Sequence, residues 1–598
     1  MKKIIVSLSF ILLVFSLEAQ PDSKIVIIHS NDLHSHLAGF APELDYSPLV
    51  TGNDGTVGGF ARIASIIRSE KEKNEGITLV LDAGDFLMGT LFQGVEIKTG
   101  FQLRLMKTMG YDVLCIGNHE FDYGPARLAD IISSSAGAGE IPALLLGNAV
   151  FDPADPEDDG LEKLFSDNVL RRTMIINRGG IRFGFFSLLG KVAVGNAAYA
   201  PPVKFSKQIA SARQMVKELK DEGCDVIICL SHSGVSRDKK GRWAGEDVEL
   251  ARKVKGIDVI VSGHTHTALE QPVMVGGVPV VQTGEYGMNM GKLTLEYKGG
   301  KLKVSDYSLI PVNDNIAGDR HIHDLIELQK ERVNEDILKP AGLSYDKPVV
   351  ETDFLLECDE GGDIRNSNLG PLVADAIHSY VNNHVRTGTD ISMVAVGVIR
   401  DRIVPGYQSA PDIFRIMSMG TGNDAIPGYP LSRVYLTGKE LKSVLEILQL
   451  AYRSTPENYC YYSGLRVMHD PGRMMFRKIK RIELVKADGN VKQVDFSRKN
   501  KELFSVTANS YMLEFVGIIK KMSFGLLNVV PKDINGNPLT DMKKAILDFD
   551  ENTPGIQEGR EWLALVEYLS SMEDTNFNNI PDIDSKYREA IQTFIPVK

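Results

Sequence analysis

Cysteine and tryptophan are scarce, with five cysteines and two tryptophans in 598 residues. The cysteines (Cys115, Cys224, Cys229, Cys358 and Cys460) are scattered, which excludes a small disulfide-stapled architecture. Cys115 and Cys229 lie inside apolar runs and are expected as small core residues. Positive charge is also short. Lys and Arg number 67 against 78 Asp and Glu, for a net charge of -11. Such a chain has no electrostatic reason to hold a nucleic-acid polymer. A small anionic substrate would need local help from metals or arginines. Past the N-terminus, no apolar run approaches the roughly 20 residues of a membrane span. Internal repeats and low-complexity segments are absent.

The N-terminus carries Lys2-Lys3, a nearly continuous apolar stretch from Ile4 to Leu17, and Ala19-Gln20. This reads as a signal peptide over residues 1–19. It predicts a periplasmic or secreted protein with no membrane span once the signal is removed.

A chain of this length exceeds one compact core, so two domains are expected. In the first part, short apolar runs rich in β-branched residues alternate with amphipathic patterns. The runs are Ile25-Ile28, Leu79-Leu81, Val113-Ile116, Phe183-Leu188, Val226-Leu230 and Val259-Val261. The helical patterns include Ala61-Lys73 and Ser206-Glu222. Runs of this kind suit strands buried on both faces. They predict a layered α/β domain over residues 24–315. The acidic stretch Phe151-Gly160 reads as a solvated loop. A charged linker helix is expected over residues 319–340, ending at Pro340. A second α/β domain follows over residues 343–598.

The polar residues that end five of these runs are the informative feature. Ile25-Ile28 leads into Asn31-Asp32-Leu33-His34. Leu79-Leu81 leads into Asp82-Ala83-Gly84-Asp85. Val113-Ile116 leads into Gly117-Asn118-His119-Glu120-Phe121-Asp122. Val226-Leu230 leads into Ser231-His232, and Val259-Val261 into Ser262-Gly263-His264-Thr265-His266. Sites in α/β sheets form at the carboxyl ends of strands. A lone histidine there would be unremarked, but five strand ends that deliver Asp, His and Asn form a constellation. Seven of the 12 histidines lie in or beside these segments. Imidazole, carboxylate and amide without thiolate favour zinc, manganese, iron or cobalt over a structural sulfur site. Two such ions about 3.5–4 Å apart polarise a phosphoryl oxygen and activate water. An Asp three residues after His119 can turn back to its ring and leave the other nitrogen facing substrate.

In combination these motifs resemble the calcineurin-like metallophosphoesterases. The forms Asn31-Asp-Leu-His34, Gly117-Asn-His-Glu-Phe-Asp122 and Gly263-His-Thr-His266 resemble, more narrowly, the 5'-nucleotidase and UDP-sugar hydrolase branch. The resemblance implies an α/β/β/α metallophosphoesterase domain followed by a substrate-binding α/β domain. It implies two divalent ions (zinc, manganese or cobalt). Asp32, His34 and His266 would hold one ion, Asn118, His232 and His264 the other, and Asp85 would bridge them. His119 and Asp122 would be the catalytic dyad.

The second domain resembles the same family at Ser367-Asp375, Val396-Arg400 and Val434-Leu441. There the resemblance implies a nucleoside pocket and a domain that swings. Arg400 is retained as a substrate contact, and Arg365 lies near the position of another, which is occupied by Asp363. Several pocket positions depart from the pattern. Ala395 replaces an asparagine, Met419 replaces a stacking Phe, and no Gly-Gly-Asp-Gly-Phe stretch follows Tyr511. Tyr429, Tyr459, Tyr461, Tyr462 and Phe515 are the aromatics available to restore a stacking slot. The expected activity is hydrolysis of a small phosphate ester, foremost a nucleotide, by water activated at the two metals. UDP-sugars, 2',3'-cyclic nucleotides, a thiosulfonate or another non-nucleotide substrate are the alternatives on the same metal site. A non-catalytic binding protein is a third reading, against which the intact ligand set argues. Near the C-terminus, Asp574-Thr-Asn576-Phe-Asn578-Asn-Ile-Pro-Asp582 resembles the first half of a calcium loop. Asn579 stands where the loop's glycine would be and the closing Glu is missing, so an Asn-rich turn without metal is expected.

Overall fold

A computed structural model describes residues 22–359, 363–453, 456–486, 488–514 and 529–597. The signal-peptide segment therefore lies outside the described residues, as do Phe515 and most of the stretch after Tyr511. Two sheets face each other in the first part of the chain. The seven-stranded sheet holds β1 (Ser23–Ser30), β2 (Ile77–Asp82) and β3 (Val113–Cys115) side by side and parallel. The six-stranded sheet holds β4 (Val226–His232) and β5 (Val259–Ser262) as parallel neighbours.

Alternation along β1 shows how the layers arise. Ile25 and Ile27 pack between the sheets with Leu79, Val113, Ile228 and Val261. Val26 and Ile28 face the other way, against Ile63 and Ile67 of helix Phe60–Lys73. On the outer face of the second sheet, Met215, Val216 and Leu219 of helix Gln208–Asp221 cover Ile227, Cys229 and Ile260. The order is α/β/β/α, with these strands buried on both faces, as the near-continuous apolar runs require. All five cysteines are unpaired, and Cys115 and Cys229 are fully buried.

The acidic stretch departs from a plain loop. Asp155 caps a short 3-10 turn by accepting from Glu157 N, and Asp158 is buried, accepting from Asp152 N at 3.0 Å. Helix Asp159–Ser166 then begins inside the stretch, because Leu161 and Leu164 give it an apolar face. The linker helix is regular over Arg320–Val333, with Asp319 capping Ile322 N, and continues in wider and tighter turns to Ala341.

The second α/β part is built on a four-stranded sheet of Leu431–Thr437, Leu503–Asn509, Ile391–Ala395 and Cys460–Ser463. Thr437 and Glu440 form a capping box that opens helix Gly438–Ala451. Its apolar core is continuous with the helical layer of the first part. The polar seam between the two parts is specific. Arg415 donates to Glu43 Oε2 at 2.8 Å and to Asp412 Oδ1 at 2.7 Å, while Glu43 N donates to Asp412 Oδ1 at 2.8 Å. Gln93 Nε2 donates to Gly420 O at 2.9 Å. In the Asn-rich turn, Asp574 accepts from the backbone of Phe577, Asn578 and Asn579, and Asn576 and Asn578 reach Glu351. No helix among the described residues is long and apolar enough to cross a membrane.

Candidate metal centre and cleft

Parallel pairing of β1, β2 and β3, and of β4 and β5, sends all five motif-bearing ends to one edge. Two clusters result there: Asp32, His34 and His266, and Asp85, His232 and His264. Asn118 joins the second, its Oδ1 3.1 Å from His232 Nε2. Asp85 Oδ2 lies 2.9 Å from His232 Nε2 and 3.9 Å from His34 Nε2, so one oxygen approaches both clusters.

The backbone is bent to achieve this. Asp32, His34, Asp85, His264 and His266 all have positive φ, between 47° and 75°. Each such residue costs about 1–3 kcal/mol in the sparsely populated left-handed region, and that strain gathers at functional sites. Gly117 must be glycine, since a Cβ there would lie 2.2 Å from Asp85 Oδ1.

A set of buried groups fixes the loops. Glu120 accepts the backbone N–H of Gly117 at 2.6 Å, Leu87 at 2.8 Å and Asp85 at 3.1 Å, tying the β2 and β3 ends together. Asp247 accepts the hydroxyls of Ser231 at 2.5 Å and Ser262 at 2.6 Å, tying β4 to β5. Asn31 Oδ1 accepts Thr283 N at 2.8 Å, and Gln282 bridges Thr267 N and Gly263 O. None of these roles was assigned from sequence. Glu120 at least stood inside the motif, whereas Asp247 and Gln282 carry no local signal.

The donor chemistry fits divalent ions. Nδ1 of His34 donates to Met88 O at 3.0 Å, and Nδ1 of His232 to Ala83 O at 2.8 Å; Nδ1 of His266 is paired with Glu285. Backing of this kind fixes the tautomer and leaves Nε2 as the ligand atom. Nε2 of His34 and Nε2 of His266 then face each other at 3.3 Å, two lone pairs that need a cation or a proton between them. Without an ion, protons serve. Burial opposes charge on His232 and His266, yet Asp85 pushes His232 up to about 10 and Asp32 pushes His266 up to about 9. Burial would likewise raise Asp85, but His232 and His119 hold it well below the usual carboxylate range. Metal binding here displaces protons.

His119 sits beside the clusters. Its backbone N donates to Asp85 Oδ1 at 2.8 Å, and its Nδ1 lies 2.7 Å from Asp122 Oδ2. Arg400 faces the same space: a narrow cleft lined by His34, His36, His119, Tyr286, Arg400 and Met419, among others. Tyr286 holds the Arg400 backbone by donating to its O at 2.9 Å. Arg365 is not brought there. It lies in an exposed loop, where its Nε donates to Asp363 two residues back at 2.8 Å. That short spacing lets the pair neutralise itself. Of the candidate aromatics, Tyr461 donates to Ile364 O at 2.7 Å and packs on Tyr459, and Tyr462 meets Phe594. Tyr429 stacks on Tyr511, with ring centroids 5.2 Å apart and planes at 14°.

Comparison with known proteins agrees with this geometry. Residues 25–268 match the calcineurin-like phosphoesterase family, and residues 352–517 match the 5'-nucleotidase C-terminal domain. The chain belongs to the calcineurin-like metallophosphoesterases that carry a 5'-nucleotidase C-terminal domain. It is 29% identical over 387 residues to the snake venom 5'-nucleotidase of Gloydius brevicauda, covering 61% of this chain and 59% of that one. It is 26% identical over 523 residues to the 5'-nucleotidase of Bos taurus, covering 82% and 83%. The fold is that of the 5'-nucleotidase precursor from Thermus thermophilus, with a TM-score of 0.68 at 21% identity over 96% of this chain and 99% of that one. This family member has a two-metal site suited to metal-dependent phosphoesterase chemistry.

Proposed function

We propose that this phosphoesterase is a secreted or periplasmic phosphomonoesterase acting on nucleotide 5'-phosphates. Asp32, His34 and His266 would hold one divalent ion and Asn118, His232 and His264 the other, with Asp85 available to both clusters. The observation that carries this reading is Asp85 Oδ2, within 4 Å of an imidazole Nε2 of each cluster. A bound pair of divalent ions lowers the pKa of water and polarises a phosphoryl oxygen.

The chain's own residues do the rest. Arg400, a fixed cation of the second domain, neutralises phosphate oxygens and orients the ester in the cleft. Asp122 fixes the His119 tautomer, so that Nε2 faces the ester and can stabilise or protonate the departing oxygen. The narrow cleft limits competing water. The named activities of the venom and bovine relatives support a nucleotide substrate.

The leaving group is less constrained than a base-stacking pocket would make it. Tyr429 and Tyr511 are too close for a third ring to enter between them. A base-free substrate such as a sugar phosphate is the second reading.

The test is a hydrolysis screen with defined manganese, zinc and cobalt. It covers nucleoside monophosphates, nucleotide sugars, cyclic nucleotides, a sugar phosphate and a generic aryl phosphate. Release of inorganic phosphate from nucleoside monophosphates at the highest kcat/KM is expected. Metal-loaded protein that turns over none of them would overturn the reading. N-terminal sequencing of the exported protein tests removal of residues 1–19.

A further inference from the structure

Asp247 is fully buried near the start of helix Glu246–Lys253 and belongs to neither metal cluster. Its carboxylate reaches both strands that deliver the imidazoles of the second cluster. Oδ1 accepts the Ser231 hydroxyl at 2.5 Å. Oδ2 accepts the Ser262 hydroxyl at 2.6 Å and the Gly234 N–H at 3.0 Å. Ser231 directly precedes His232, Gly234 follows it by two positions, and Ser262 precedes His264 by two. Ser231 and Ser262 are also register partners, the last pair formed between β4 and β5. One side chain therefore straps two strands together just where each gives up an imidazole. The chain is pinned at the same place. Asp247 N donates to Gly234 O at 3.2 Å, and Val235 N donates to Thr265 Oγ1 at 3.1 Å, beside His264.

The first cluster is set by different groups. Asp32 N donates to Gly84 O and His34 N to Asp85 O, both at 2.9 Å. His266 is backed by Glu285, and its loop is anchored where Thr267 N donates to Gln282 Oε1 at 2.8 Å. None of these bonds involves Asp247. The rings of His232 and His264 stand with centroids 5.3 Å apart. Metal–ligand distances tolerate only about 0.2 Å of error, so the spacing of the two strand ends bears directly on an ion that both rings must reach. A buried carboxylate with three donors resists displacement, because any shift leaves a charged group unpaired.

We propose that Asp247 is a positioning residue for one ion of the pair: by fixing the spacing of the β4 and β5 ends, it holds His232 and His264 where both can bind the same ion, and it has no such hold on the ion of Asp32, His34 and His266. This assignment rests on the ligand sets given above. The two ions then differ in what retains them, and the ion at His232 and His264 is the one lost first when the strap is cut.

The experiment titrates chelator-stripped protein with manganese and follows the free ion, in wild type, Asp247→Ala, Asp247→Asn and Ser262→Ala, with thermal melts alongside. Wild type is expected to bind two ions. In Asp247→Ala one ion is expected to keep its affinity while the other binds about 10–100-fold more weakly, the usual effect of losing a group that orients metal ligands. Asp247→Asn is expected to stay within about threefold of wild type. Its amide oxygen can take the Ser262 and Gly234 donors, and its NH2 can donate to Ser231 Oγ, whose own proton turns to Ser233 Oγ at 2.8 Å. If Asp247→Ala disturbs the melt, Ser262→Ala carries the same expectation, since it cuts the tie to β5 and leaves Asp247 its bonds to Ser231 and Gly234. Two ions bound as tightly as in wild type by both alanine variants, both ions weakened alike, or an Asn variant as defective as the Ala variant overturns the positioning role alone. Fewer than two ions bound by wild type overturns the ligand sets, and the assignment with them.

Discussion

Asp122 holds His119 through a buried 2.7 Å contact between its Oδ2 and the ring's Nδ1. The pair is separate from the metal clusters, although the two regions share Asp85 through the His119 backbone. Replacement of His119 by Asn is therefore expected to leave bound metal near two equivalents while turnover falls by ~10²–10⁴, the usual range for a general acid or base. Metal analysis alongside kcat checks it. A variant that loses an ion would place His119 among the ligands.

Asp85 and Asn118 differ in what they serve. Asp85 Oδ2 approaches both clusters and its Oδ1 holds the His119 backbone, while Asn118 touches only the His232 side. Asp85→Asn is expected to cost at least about tenfold more activity than Asn118→Ala, because a carboxylate charge shared by two cations is lost. Equal losses with both metals retained would count against the shared position.

Nucleobase selectivity follows from the closed Tyr429–Tyr511 stack, with Ala395 and Met419 nearby in the pocket motifs. An Ala side chain cannot pair with a base edge, and Met lines a pocket without fixing ring orientation. The kcat/KM values for AMP and UMP are expected to agree within about tenfold, or ~1.4 kcal/mol. A preference above ~10³-fold, about 4 kcal/mol of differential transition-state binding, would show that a specific base site exists.

His29 gives an acid limb to stability. It is fully buried beside Tyr307 with neither ring nitrogen partnered, and burial lowers its pKa from 6.5 to about 3. The unfolded chain binds a proton in that window and the folded chain does not. Stability from this residue is therefore intact above pH 6.5 and falls with decreasing pH toward 3, by about 1.4 kcal/mol per unit. Urea titrations at several pH values are expected to show a shallower acid limb for His29→Phe than for wild type. Parallel limbs would mean that His29 is solvated or paired.

Much of this was legible in the sequence because it is encoded locally. Apolar runs with β-branched residues mark doubly buried strands, and the residues that end them mark the carboxyl edge where sites form. Asp32, His34, Asp85, Asn118, His232, His264 and His266 each announce themselves within a few residues of such a run, and Asp122 lies within one turn of His119. The tertiary structure alone decided what depends on distant segments meeting. Glu43 and Arg415 are separated by 372 positions, and nothing near either names the other. Asp247 and Gln282 hold ligand loops from positions that bear no motif. The Tyr429–Tyr511 stack brings two segments of the second domain together, and His36 stacks on the distant Tyr286. Arg365 shows the opposite case, where a plausible residue was claimed by a neighbour two positions away. Periodicity and spacing record what a residue's own turn or strand requires, whereas pairings across the fold are chosen by packing and charge only after the layers have assembled.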